Sequence, residues 1–302
     1  MTAPAPVSYP LGAPTLVGNN LTVDLALKQP GRITRRISDL TLQKFIVDKI
    51  FFTSAAQVAS GAVIYDQATK NELYTERDIE QRAPGTEYPV VGTARQTPKV
   101  AKSEDWGGKF FITDEARNRN DVAHFNNQTT MLANTIVRKV NQRAVAALEV
   151  AIAALGGAGV VPGHDWSNVT LTGTSPTPNA ERPGADFANV QLAADVEELG
   201  VTYDLWIMNP QEKANLAIAY GEDLDAILEA ASIEIFASNR VTAGTAYAVA
   251  RGEVGFLNYE QGLATEVYRK PEQRATWVQS SVMPIMGVTN PYSIKKVTGL
   301  AG

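Results

Sequence analysis

Two histidines and no cysteine restrict the chemistry open to this chain of 302 residues. Without thiols there is no disulfide framework, no cysteine nucleophile and no thiolate zinc site. His124 stands beside Phe125 in a stretch of helical spacing and reads as a helix-surface histidine. His164 lies in the turn-like Gly163-His-Asp-Trp166, where the neighbouring Asp165 could orient an imidazole. A hydrolytic triad also needs a nucleophile on a strained elbow, and no G-x-S-x-G occurs. Ser293-Ile-Lys-Lys296 has S-x-x-K spacing but lacks the companion S-D-N and K-T-G motifs. Gly156-Gly-Ala-Gly159 follows a helical stretch and precedes a proline loop. A dinucleotide phosphate needs a strand before the glycines and a helix after them, so these glycines read as a helix stop. Asp223 and Asp225 lack the remaining ligands of a calcium loop. Glu197 and Glu198, adjacent on a predicted helix, do not face each other. The residues thus predict no catalytic, cofactor-binding or metal-ligating set, and no cofactor.

Charge narrows the partners. Lys and Arg number 27 against 32 Asp and Glu, a net charge of −5, which by itself does not make a general nucleic-acid binder. The densest basic groups are Arg32, Arg35 and Arg36, and then Arg138, Lys139 and Arg143. Either could touch phosphate, but neither has interleaved aromatics, and inter-subunit salt bridges are the preferred reading. The leader shows no early basic stretch with an apolar core. The most apolar stretch, residues 144–161, carries Glu149 and the glycine run and is too polar to span a bilayer. No membrane partner is predicted.

The elements that would carry these residues can be read in order. Residues 1–32 hold Pro4, Pro6, Pro10, Pro14 and Pro30 and read as an extended N-terminal arm held by a neighbouring subunit. Ile33, Ile37 and Leu40 have short helical spacing, and residues 45–52 form an apolar block. Residues 61–105 combine strand candidates (62–65, 88–91 and 99–102) with dense charge between Lys70 and Arg82 and the turn residues Ala83-Pro-Gly-Thr86. This segment is too poor in large apolar residues for a core of its own and reads as a long two-stranded excursion resting on another surface. Residues 114–155 give the strongest helix, with Val122, Phe125, Leu132, Ile136, Val140, Ala144, Leu148 and Ile152 on one stripe, Thr113 as N-cap and Asn126-Asn127 as a candidate interruption. A helix over 187–199 with Val190, Leu192, Val196 and Leu199 as its apolar positions, a buried strand over 203–208 and a helix begun by Asn209-Pro210 suggest an α/β unit. Strands punctuated by Gly and Thr follow to the end.

This order of parts resembles the major capsid protein of tailed double-stranded DNA bacteriophages, the Hong Kong 97 type of shell subunit, closest in look to phages of actinobacteria. Glu87-Tyr-Pro-Val-Val91 and Gly107-Gly-Lys-Phe-Phe-Ile-Thr-Asp-Glu-Ala116 look like that family's return from its extended loop into the spine helix. Tyr203-Asp-Leu-Trp-Ile-Met-Asn-Pro210 looks like the central axial strand and the helix start after it. Ile233-Glu-Ile-Phe-Ala-Ser-Asn-Arg-Val241 resembles the next axial strand, and Thr265-Glu-Val-Tyr268 and the tail from Val288 resemble the closing peripheral strands.

The resemblance implies an α+β fold with an N-terminal arm (1–32), an extended two-stranded loop (61–105), a peripheral domain carrying the spine helix (33–60, 106–185 and 263–302) and an axial α/β domain (186–262). It implies a structural, non-enzymatic protein of the virion. Its copies would form hexamers and pentamers around packaged DNA bound without sequence specificity, assembled in the host cytoplasm with a separate scaffolding protein, a portal and a decoration protein as candidate partners. Lys70, Arg77, Asp78, Glu80, Arg82, Arg138 and Arg143 are the expected inter-subunit contacts, Lys70 also being the candidate for a crosslink by its position. The alternatives are an encapsulin-like shell housing a protein cargo, against which the proline-rich opening argues, and a carboxylate-dependent hydrolase, which no spacing supports.

Overall fold

The computed structural model describes residues 22–41, 46–53, 58, 60–69, 77–92, 98–198 and 200–301. The greater part of the predicted arm, residues 1–21, lies outside them, as do Lys70 and Leu199. In chain order the strands are β1 (Phe52–Thr53), β2 (Ala62–Tyr65), β3 (Lys99–Lys102), β4 (Trp106–Thr113), β5 (Val160–Pro162), β6 (Leu205–Met208), β7 (Glu234–Ala237), β8 (Thr245–Val249), β9 (Gly255–Lys270), β10 (Ala275–Val288) and β11 (Ile294–Thr298). The described residues form a four-stranded sheet β1-β9-β10-β4, a five-stranded sheet β5-β11-β8-β6-β7 and a two-stranded ribbon β2-β3.

The last part of the predicted arm is helical. Val23–Lys28 forms one helix, capped by Thr22, and Pro30 begins a second that runs to Thr41. The prolines at 4 to 14 suggested extension through residue 32, but Pro30 sits at a helix start, where its missing N–H costs nothing. Val23, Ala26, Leu27, Ile33 and Ile37 pack with Phe110, Ile112, Phe125 and Val278, so these helices belong to the body.

The spine helix spans Val122–Leu155, 34 residues and roughly 50 Å. Its predicted stripe is the buried one: Phe125, Ile136, Val140, Ala144, Leu148 and Ile152 are all buried, and Leu132 is half-buried. One core joins this stripe from Ile136 onward to Leu257, Val282 and Val288 of the four-stranded sheet and to Leu205, Ile207, Tyr247 and Ile294 of the five-stranded sheet. The helix is therefore the beam that binds the two sheets. The interruption falls at Asn120, not at Asn126-Asn127. Thr113 caps a short helix, Asp114–Asn118. Asn120 then turns left-handed at φ 53°, and Asp121 caps the spine through the His124 N–H. Asn tolerates that conformation better than most residues, and its side chain accepts the Val23 N–H at 2.9 Å. Gly156, at φ 61°, ends the spine as expected.

The five-stranded sheet carries a second core. Trp166, Phe187, Val190, Trp206 and Leu216 fill it beneath the helices Pro183–Val196 and Pro210–Tyr220. Leu192 and Val196 are exposed, contrary to expectation. The buried face follows Phe187, Val190 and Ala194, at steps of three and four, and Leu192 is turned about 200° from Val190.

Two tail segments depart from the expected boundaries. The β11 strand pairs with β8 and β5, not with the peripheral strands. The β9 strand already enters the four-stranded sheet at Gly255, where a Cβ would meet the Gly287 carbonyl oxygen at 2.0 Å. Close approach of two backbones lets the long β9–β10 hairpin begin eight residues before the predicted boundary at 263.

Candidate inter-subunit surface

The ribbon β2-β3 is antiparallel, with Ala62 opposite Lys102 and Tyr65 opposite Lys99. Its base is anchored to the body. Gln67 donates to the Val288 carbonyl at 3.1 Å, and Ala68 N–H to Thr289 at 2.6 Å. Lys99 donates to Gln67, and Tyr65 meets Phe256 edge to face at 5.4 Å. Burial pushes the Tyr65 phenol up. At the return, Glu104 accepts from Trp106 and, at 2.6 Å, from Arg143 of the spine helix. An open cleft of about 410 Å³ remains between ribbon and spine, floored by Ala147, Val150, Ala151 and Met286.

Beyond the base the excursion leaves the body. Residues 77–92 contain no strand, and every one of them is exposed except the half-buried Pro89 and Val91. Tyr88-Pro-Val-Val91, expected as a strand, is irregular, because Pro89 has no N–H to give a ladder. Arg77 donates to Glu80 at 2.8 Å. Asp78 accepts the Ile79 N–H. Arg82 donates to the Thr86 carbonyl at 2.9 Å and lies 4.8 Å from the Tyr88 ring centre. The predicted charges thus partly satisfy one another within the segment. The apolar side chains of the segment, to which the charge pattern assigns no role, are open: Ile79, Tyr88 and Val90 are 80%, 72% and 89% exposed. Apolar residues at a position with no core of its own were the available signal.

Of the two helix cations named as contacts, Arg143 is held inside the chain by Glu104. Arg138 is exposed and has no ion pair among the described residues.

The candidates for chemistry disperse. His124 is exposed on the first turn of the spine. His164 bonds through Nδ1 to Asp186 at 2.7 Å, not to its neighbour Asp165. Asp186 is buried and also accepts from the His164 N–H and the Trp166 indole, so it pins the 163–166 turn onto a helix start. Asp165 closes a local turn on Ser167. Ser293 is buried, and Lys296 reaches Glu149 at 2.7 Å. Burial works against the Glu149 carboxylate, but bonds from Lys296 and Tyr247 outweigh it and hold it below the usual range. Asp223 and Asp225 are exposed. Glu197 lies just past its helix and pairs with Lys295. Among the described residues no group of three or more His, Asp or Glu is placed to hold a metal ion, and no helix is long and apolar enough to cross a membrane.

A family model described as phage capsid protein matches residues 96–297, two-thirds of the chain. No curated protein matches the sequence. Among solved structures, the fold is similar to the capsid of cyanophage P-SCSP1u, with 14% identity, a TM-score of 0.57, and coverage of 85% of this chain and 89% of that one. A structure from Mycobacterium phage Bobi gives 10% identity, a TM-score of 0.57, and coverage of 87% and 91%. A virus-like particle from Pyrococcus furiosus gives 14%, 0.53, and coverage of 88% and 98%. The spine helix, the two sheets and the anchored excursion are the Hong Kong 97-type architecture. The chain belongs to the phage capsid protein family and is a structural shell protein of the phage head.

Proposed function

We propose that the excursion around residues 77–92 lies across an adjacent subunit, and that its apolar side chains contribute more to the contact than its charges do. The observation that carries this reading is the exposure of Ile79, Tyr88 and Val90 on a segment that contributes no side chain to the cores of the described residues. Burying a large apolar side chain is worth about 1.5–3 kcal/mol, whereas an exposed ion pair contributes roughly 0–1 kcal/mol. Arg77, Asp78, Glu80 and Arg82 then form the polar rim of the contact. Such contacts, repeated over hexamers and pentamers, close a shell around packaged duplex DNA. A separate scaffolding protein, a portal and a decoration protein are the proposed further partners, assembly takes place in the host cytoplasm, and the chain has no enzymatic role. The family match favours this reading over a shell built for a protein cargo.

The test compares two variants in low salt. Ile79→Ser/Tyr88→Ser/Val90→Ser should lower the shell melting temperature strongly and leave the circular dichroism of the unassembled chain unchanged. Arg77→Glu/Arg82→Glu should have a smaller effect that fades with added salt, since exposed charges are screened over about 10 Å at 0.1 M. Equal melting of the triple-serine shells and the parent would remove the apolar contact from the account. Loss of the monomer's fold would place the segment in the core.

A further inference from the structure

The two basic clusters, a hundred residues apart in sequence, belong to one helical layer. The helix Pro30–Thr41 packs beside the spine on the same sheet, with Ile33 and Ile37 against Phe125 and Ala133 in a shared core. Its continuation is pinned there by the Ile46 N–H, which donates to Asn141 of the spine at 3.0 Å. Off these buried stripes, Arg32, Arg35, Arg36, Arg138 and Lys139 are all exposed, and none has an ion pair among the described residues.

The imbalance of this layer is large for an acidic protein. Residues 22–41 carry four cations against Asp24 and Asp39, and residues 122–143 carry three cations and no carboxylate. That is a surplus of five positive charges in a chain whose net charge is −5, so the remainder carries a net −10. Asp24 is paired with Lys28, and Arg143 with Glu104. Asp39 is the remaining carboxylate of these two segments, and the exposed Asp121 caps the start of the spine. Around them the spine exposes the amides Asn127, Asn134 and Gln142, and Met131 is the large apolar side chain exposed on this part of the helix.

We infer that this helical layer is a sequence-independent binding surface for the phosphate backbone of duplex DNA, and that it forms the part of the shell that meets packaged DNA. The inference rests on the shell reading above. Cations and amides without an apolar stripe are what phosphate contacts use. An acidic protein helix would need a cluster of apolar anchors to dock with specificity, and among the described residues the patch presents only Met131. Neutralising phosphates releases counterions, so the observed binding constant falls with salt at a slope of about −0.9 per phosphate contacted in a log–log plot.

The experiment uses the unassembled full-length chain and two fluorescein-labelled 30-base-pair duplexes of unrelated sequence, read by anisotropy from 50 to 200 mM NaCl. Both duplexes should bind equally, with a log–log slope of about −3 to −4.5. Arg32→Gln/Arg35→Gln/Arg36→Gln should weaken binding at 50 mM at least tenfold and reduce the slope by about 2–3. The corresponding triple lysine variant should bind like the parent, which separates charge from damage to the helix. Arg138→Gln/Lys139→Gln should reduce the slope by about 1–2. The inference is overturned if the parent does not bind duplex DNA at 50 mM salt, or if the glutamine variants keep the parental slope. It is also overturned if an acidic helical peptide of equal charge binds more tightly than DNA, which would assign the surface to an acidic protein partner. Electron microscopy of shells from the same preparations separates this outcome from failure of the shell reading: shells from a chain that ignores DNA would refute the inference alone.

Discussion

Replacing residues 77–92 with a short Gly-Ser-Gly link should leave the subunit folded and abolish closed shells. No side chain of that segment enters any of the three cores, and the ribbon anchors at Gln67, Ala68, Lys99 and Glu104 lie outside it. Shortening a loop changes its closure entropy by well under about 1 kcal/mol per halving, so the urea midpoint of the unassembled chain should move little. The interface should respond very differently. Removing Ile79, Tyr88 and Val90 together takes away on the order of 5 kcal/mol per contact, or three to four orders of magnitude in association. Size-exclusion chromatography should then show subunits or capsomers where the parent gives particles. Shells of normal size and melting temperature from the shortened chain would show that the excursion is dispensable.

Lys295→Met should destabilise the subunit by about 3–5 kcal/mol, the cost of breaking a buried ion pair from one side. The Lys295 side chain is 1% exposed. Its ammonium donates to the Ala158 carbonyl at 2.6 Å and to Glu197 Oε1 at 2.7 Å, while Glu197 Oε2 is buried with no partner among the described residues. Removing the cation leaves a carboxylate and a carbonyl without their donor. This single contact ties β11 to the turn after the spine and to the end of the helix Pro183–Val196. In the double variant Lys295→Met/Glu197→Leu no charge is stranded, and most of the loss should be recovered, because apolar replacement of a whole buried pair is often neutral. Urea unfolding of the unassembled chains measures both. A single variant within about 1 kcal/mol of the parent, or a double variant no better than the single, would contradict the assignment.

Lys295 also shows what the sequence conceals. Strand alternation puts Ile294 in one core and Lys295 on the opposite face, which a reader assigns to solvent. The Gly156–Gly159 turn and the end of the helix Pro183–Val196 cover that side chain, a tertiary fact with no local signal. The spine, by contrast, was legible because one stripe recurs at steps of three, four or seven residues along it, and Thr113, Asn209 and Pro210 mark helix starts by local capping chemistry. Its break was not legible, since a single left-handed Asn120 is enough to make it. Leu192 and Val196 are apolar but lie at the wrong angle around the helix to join Phe187, Val190 and Ala194 on the buried face. His164 misled through its sequence neighbour: its partner, Asp186, is 22 residues away and becomes adjacent only when the turn folds onto the helix start. For the candidate surface, composition identified the excursion as a segment without a core. Only the structure showed that Arg77 pairs with Glu80 and that Asp78 and Arg82 bond to nearby backbone, while its apolar side chains stand open.

The most direct test of this account is a cryo-electron microscopy reconstruction of the particles formed by the full-length chain, expressed with a scaffolding protein if assembly requires one. The account predicts closed shells of pentamers and hexamers in which residues 77–92 cross the next subunit, with Ile79, Tyr88 and Val90 buried between the two chains. Particles in which that segment folds back on its own subunit, or a chain that stays monomeric at high concentration under every assembly condition, would contradict it.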